Sequence, residues 1–172
     1  QQLGMDSWLA HRPRNTGIRM IGFGAQHHLP WNGPHLPEYG SAVARVELDD
    51  AIRQVAVDAG AGFAAPARAR DVLRDPDGSV AGVIVDRNGN RETIHCRKLI
   101  VADGVRSPLG RLLGRTWHRE TVYGVAARAY VGSEKHDDPW ITSHLELRDE
   151  EGGAVPGYGW IFPLGEIGRA HV

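Results

Sequence analysis

Four consecutive apolar residues, Leu99 to Ala102, run directly into Asp103-Gly104, and this junction constrains the chain more than any other stretch. An unbroken apolar run of that length predicts a short strand buried on both faces, as in parallel sheets. Asp103-Gly104 then ends it. Ser107 is placed to cap a helix by accepting from an orphan amide, and Pro108 suits the first helical position. Gly114 tolerates the left-handed conformation that stops a helix. The predicted order is therefore strand, acidic turn, helix. It sets a carboxylate at the carboxyl edge of a sheet, where open α/β sheets bind ligands. A plain Asp-Gly tight turn accounts for the same residues equally well.

With 172 residues, 41% of them hydrophobic, the chain is one domain or a piece of a larger one, with enough apolar content for an ordinary core. Its formal net charge of −1 gives no electrostatic case for nucleic acid or an anionic membrane surface. Cys96 is the sole cysteine, so no disulfide framework exists, which fits a reducing cytosol. No signal peptide or bilayer-length apolar run is visible.

Leu3 to His11 reads as a short amphipathic segment, Ile18 to Phe23 as a strand, and residues 30 to 40, rich in Pro and Gly, as an irregular loop. His27, His28 and His35 have no second cluster at ligand spacing, so no metal site is expected. Val46 to Ala59 is the clearest helix: Leu48, Ile52, Val55 and Ala59 share a face, and Gly60 is the stop. Arg45 stands at its amino end, where a cation opposes the helix dipole by roughly 0.3–1 kcal/mol. Two readings of Arg45 stay open: an anion contact at the helix terminus, or a surface arginine paired with Glu47 or Asp49. Arg68 to Cys96 predicts a three-stranded antiparallel meander, punctuated by Asp75-Pro76-Asp77-Gly78 and Asn88-Gly89-Asn90. Tyr123 to Val131, Ile141 to Leu147 and Tyr158 to Phe162 read as three more strands, an antiparallel sheet belonging to a second, smaller domain. At period two, Tyr158, Trp160 and Phe162 point to one face. That face is either an aromatic wall for a flat or elongated apolar ligand or an ordinary core-facing strand.

Three of these stretches, in order, resemble the geranylgeranyl reductase family of FAD-dependent oxidoreductases. Asp103-Gly104-Val105-Arg106-Ser107 resembles its Asp-Gly motif, which it shares with flavoprotein monooxygenases. Arg45-Val46-Glu47-Leu48-Asp49-Asp50 resembles its Arg-x-x-x-Asp signature, and Tyr158-Gly159-Trp160-Ile161-Phe162-Pro163 its Tyr-x-Trp-x-Phe-Pro motif. The run from Trp117 to Gly124 and on through Ser143-His144-Leu145-Glu146-Leu147 looks most like the actinobacterial, menaquinone-reducing branch. The resemblance implies an α/β architecture, α+β in this chain: an incomplete Rossmann-like FAD-binding domain with a β-meander, plus part of an antiparallel-sheet substrate domain. It implies FAD contacts at Arg45, Ala67, Asp103 and Gly104, and an isoprenoid cavity lined by Tyr158, Trp160, Phe162 and Pro163.

The implied reaction is saturation of one double bond in an isoprenoid chain, the menaquinone tail, with hydride from the reduced flavin and a proton from an acid. An unactivated alkene offers no oxygen to polarise, so positioning and a proton donor carry the catalysis. His118, His144 and Tyr158 are the candidate donors, and nothing in the sequence chooses among them. The expected partners are an apolar isoprenoid or quinone substrate and no nucleic acid, in a cytoplasmic protein with peripheral contact at the inner face of the membrane. The expected organisation is substrate domain and loop at 1–40, cofactor domain at 41–116, substrate sheet at 117–165, and a sequencing-adapter scar at 166–172. The first forty residues lack the family's Gly-x-Gly-x-x-Gly turn, and the chain stops before its later Gly-Asp segment. It thus reads as a fragment lacking both ends, expected to bind FAD weakly or not at all. Two rivals remain: an FAD-dependent aromatic monooxygenase and a non-catalytic lipid-binding module.

Overall fold

The computed structural model describes residues 3–35, 37–116, 120 and 124–165. In chain order these form α1 (Asp6–Ala10), β1 (Arg14–Asn15), β2 (Gly17–Gly22), β3 (Ala25–Pro30), β4 (Gly40–Ser41) and α2 (Arg45–Asp58). There follow β5 (Arg68–Arg74), β6 (Val80–Arg87), β7 (Asn90–His95), α3 (Pro108–Leu112), β8 (Trp140–His144), β9 (Leu147–Arg148), β10 (Ala154–Val155) and β11 (Gly159–Ile161). The fold is α+β. It divides into two compact units, residues 1–60 with 128–172 and residues 61–127.

The first unit is built on a four-stranded mixed sheet in the order β11-β8-β2-β3. Only the β2–β8 pairing is parallel, with Gly17 opposite Trp140 and Ile21 opposite His144. Gly17 is required there, because a Cβ would stand 2.2 Å from the Leu29 carbonyl oxygen and 2.7 Å from the Trp140 ring. Paired residues share a face. Met20, His27, Ser143 and Trp160 thus lie on one side, and Arg19, His28, Thr142 and Ile161 on the other. The predicted Ile18–Phe23 strand is found one residue earlier. Phe23 falls instead in the β2–β3 turn at φ +53°, a conformation uncommon for a bulky residue.

The second unit is the expected meander, β5-β6-β7, with both ladders antiparallel and tight turns at Asp75–Gly78 and Asn88-Gly89. Residue 82 must be glycine, since a Cβ would lie 2.6 Å from the Ile94 carbonyl oxygen. Val85 and Leu109 are the buried apolar residues of this unit, and Met5, Ala42 and Ile141 those of the first, among the described residues.

Several expectations change. Leu99 to Ala102 forms no strand and belongs to no ladder, and Ile100 is 89% exposed. A parallel strand exists only with a neighbour to bond it, and none flanks this run among the described residues. Residues 124 to 131 also form no strand, and Tyr123 lies outside the described residues. The strand expected at Ile141–Leu147 stops at His144, where the Leu145 amide donates to the Ile21 carbonyl and the chain turns into β9. On α2, Leu48 and Val55 are half-buried as expected, joined by Ala51. Ile52 is exposed and Ala59 lies past the helix end.

Candidate functional site

Asp103 is drawn into the start of α3. One carboxylate oxygen accepts from the Ser107 hydroxyl at 2.5 Å and the other from the Leu109 amide at 3.0 Å. Ser107, buried and left-handed at φ +32°, in turn accepts from the Gly110 amide at 3.2 Å, with Pro108 at the first helical position. The capping expected of Ser107 is present, and Asp103 reinforces it. The Ser107 hydroxyl, then the Leu109 amide and the Arg115 charge, hold the Asp103 carboxyl below the usual carboxylate range against the desolvation that opposes them. Gly104 stands beside it at φ +84°, and a Cβ there would meet nothing within 4 Å. The carboxylate is thus committed to the turn, while the backbone at Gly104 is open to approach. Ala67 is exposed, one residue ahead of β5.

Arg45 opens α2 with its guanidinium on Asp49, Nε to Oδ1 and Nη2 to Oδ2 both at 3.1 Å, in an exposed pair. Glu47, the other predicted partner, is taken by Arg12. An exposed i,i+4 pair is worth about 0.3–0.5 kcal/mol, too little to fix the guanidinium against a stronger anion. The preceding residue, Ala44, gives the helix no side-chain cap. The first-turn amides therefore lack a side-chain acceptor. A cavity of about 500 Å³ opens there, lined by Ala42, Val43, Ala44 and Glu47 with His11 and Arg12.

The strand expected at Tyr158–Phe162 is shortened to β11, and the alternation along β11 and its two flanking residues puts Tyr158, Trp160 and Phe162 in one row. Tyr158 meets Trp160 edge-on with centroids 6.1 Å apart, and Trp160 stacks with Phe162 at 5.9 Å. All three remain 43–65% exposed, so they face open space rather than a packed core. Pro163 follows, half-buried. Of the three candidate proton donors, His118 lies outside the described residues. His144 pairs with Gly159 and hence points away from the aromatic row, whereas Tyr158 belongs to it.

Two features were not foreseen. Arg19 donates to both oxygens of Asp138 at 2.6 and 3.0 Å, and its Nε lies 3.3 Å from His28 Nε2, tying β2, β3 and the loop before β8 together. Glu146 accepts from the Phe23 amide at 2.7 Å and is paired with Arg148. With His144 it lines a recess of about 350 Å³ beside the β2–β3 turn. The alternation His144-x-Glu146 was visible in the sequence, but its partners across the sheet were not.

Comparison with known proteins bears on this arrangement. The chain is 58% identical over 165 residues to the menaquinone reductase of Mycolicibacterium smegmatis, covering 96% of this chain and 40% of that protein. It is 33% identical over 118 residues to digeranylgeranylglycerophospholipid reductase 1 of Methanopyrus kandleri, covering 68% of this chain and 30% of the relative. Its fold matches that of a geranylgeranyl bacteriochlorophyll reductase-like protein from Thermoplasma acidophilum, with a TM-score of 0.66 and 22% identity over 90% of this chain and 38% of that one. The chain thus spans about 40% of the length of the menaquinone reductase it matches. Residues 2–166 match the FAD binding domain family, and the chain belongs to that family.

Proposed function

We propose that this chain is part of an FAD-dependent oxidoreductase that reduces a carbon–carbon double bond of an isoprenoid chain, with the menaquinone tail as substrate. The observation that carries the reading is the exposed row of Tyr158, Trp160 and Phe162. Three rings in succession give a long apolar surface that suits a prenyl chain. The names of the relatives, a menaquinone reductase and a digeranylgeranylglycerophospholipid reductase, support the same substrate class.

The residues present fit FAD. The α2 start, without a side-chain cap and opening on a cavity, has the features that receive a phosphate, and Arg45 supplies a guanidinium beside it. The open flank of Gly104 admits a close backbone approach by the ribityl–pyrophosphate portion, while Asp103 holds the turn in shape. Ala67 serves the adenine through its backbone. In this reading residues 41–116 serve the cofactor, and residues 1–40 with 117–165 serve the substrate. When bound, FAD supplies the hydride that the alkene receives. The aromatic row orients the prenyl chain and keeps water from it, and Tyr158 is the one candidate donor on that row. Because the substrate resides in a bilayer, the enzyme works at the inner membrane face.

Product analysis of the full-length protein tests this. Incubation with menaquinone and reductant should yield a lipid heavier by two hydrogens, without incorporated oxygen. Oxygen incorporation would identify a monooxygenase instead, and absence of turnover with stoichiometric lipid binding a carrier module. In the active enzyme, Trp160→Ala should raise KM for the lipid about tenfold with a smaller change in kcat, matching the loss of one aromatic contact surface.

A further inference from the structure

The recess beside the β2–β3 turn has no role in the reading above. Ile21 and Ala25 are its apolar lining, Ile21 on the face it shares with Gln26 and Ala25 on the other, while Gly22 and Gly24 leave the backbone bare. A Cβ at Gly24 would meet nothing within 4 Å, so the space beside it is open. Three polar side chains complete the lining. Ile21 is paired with both Gln26 and His144, so residues from three adjacent strands share this face, and Glu146 follows two residues after His144.

Glu146 is already engaged. The Phe23 amide donates to one of its oxygens and Arg148 to the other. The Phe23 amide, then Arg148, hold its carboxyl below the usual range, so the group is ionised and its charge balanced. The side chains of Gln26 and His144, by contrast, make no hydrogen bond among the described residues. The recess therefore offers two uncommitted side-chain donors beside the apolar Ile21 and a carboxylate whose charge is already balanced. A neutral, planar molecule with carbonyl oxygens answers each of these conditions. The amide of Gln26 and an imidazole N–H of His144 donate to its oxygens, and Ile21, on the same face as both, supplies the apolar contact.

Building on the isoprenoid-reductase reading, we infer that this recess holds the quinone ring of the substrate while the tail follows the aromatic row. Register connects the two. Gly159 is opposite His144, so Tyr158 stands at the same end of the sheet as the recess, with Trp160 and Phe162 successively farther away. A tail leaving the ring rounds the end of the sheet at Tyr158 and then runs along β11.

Menadione, a naphthoquinone with no prenyl tail, and geranylgeraniol, a prenyl chain with no ring, separate the two halves of the site. Menadione titrated calorimetrically into the 172-residue chain should bind one to one. Gln26→Leu and Ala25→Trp, both on the exposed edge strand β3, should each weaken it about fivefold or more. Geranylgeraniol, followed by tryptophan emission, should bind all three proteins alike, and far-ultraviolet circular dichroism should show the three equally folded. The quinone-ring assignment is overturned if menadione fails to bind the parent chain, or binds both variants as tightly as the parent. Failure of geranylgeraniol to bind the parent chain overturns the isoprenoid reading instead, so the two failures are distinguishable.

Discussion

Asp138 shows how a single carboxylate organises the first unit. It receives two bonds from Arg19 and a third, at 3.0 Å, from the Trp140 amide, and its side chain is only 15% exposed. Trp140 also meets the His28 ring edge-on at 4.6 Å, so one ion pair fixes β2 and β3 relative to β8. The Arg19 guanidinium, with the Trp140 amide behind it, holds the Asp138 carboxyl below the usual range. A carboxyl with a depressed folded-state value adds stability above its unfolded value of about 3.9 and loses it as the pH falls through the folded value. Asp138→Asn should therefore destabilise the chain by about 2 kcal/mol at pH 7, since it weakens a charged hydrogen-bond pair and strands a half-buried arginine. In urea titrations the gap between parent and variant should close as the pH is taken below about 4. A gap independent of pH would assign the loss to packing instead.

At the scale of elements, α3 is the one whose beginning matters most. It has five residues, far too few to persist on propensity, and relies on Ser107, Asp103 and the packing of Leu109. Ser107→Ala should cost about 1 kcal/mol, or about 3 °C in Tm. Ser107→Gly should cost less, because glycine accepts the left-handed φ at that position. Equal costs in thermal denaturation would mean that the hydroxyl both variants lose, not the backbone angle, sets the turn. Local signals made this helix legible in the sequence: Ser107, Pro108 and Gly114 act within a few residues of themselves. The meander was legible for the same reason, since its turns carry Asp-Gly and Asn-Gly. Leu99–Ala102 was misread because four apolar residues specify a burial preference but not the strand beside them. The parallel register of β2 on β8 joins residues more than a hundred positions apart, and no local pattern encodes it. The site divides likewise. The aromatic row follows from period-two alternation within one strand and was foreseen. The engagement of Asp103 with Leu109, and the grouping of Gln26 with His144, needed the fold.

At the scale of the whole molecule, apolar surface is spread widely: Ile100 is 89% exposed, Val125 93%, Val46 80% and Phe23 78%. Of these, Ile100 lies in a stretch of main chain whose amides and carbonyls join no ladder among the described residues. Such a run is a template: a second molecule can add a strand to it at little entropic expense and cover the isoleucine as it does so. In solution the chain should therefore show a sedimentation coefficient that climbs with concentration. Ile100→Lys should flatten that dependence by planting a charge where two copies would meet. A coefficient constant for both proteins would show the run to be inert. The same apolar run that the sequence assigns to a sheet interior thus makes the chain adhesive, and menadione or prenol titrations are best made at concentrations dilute enough to keep neighbours apart.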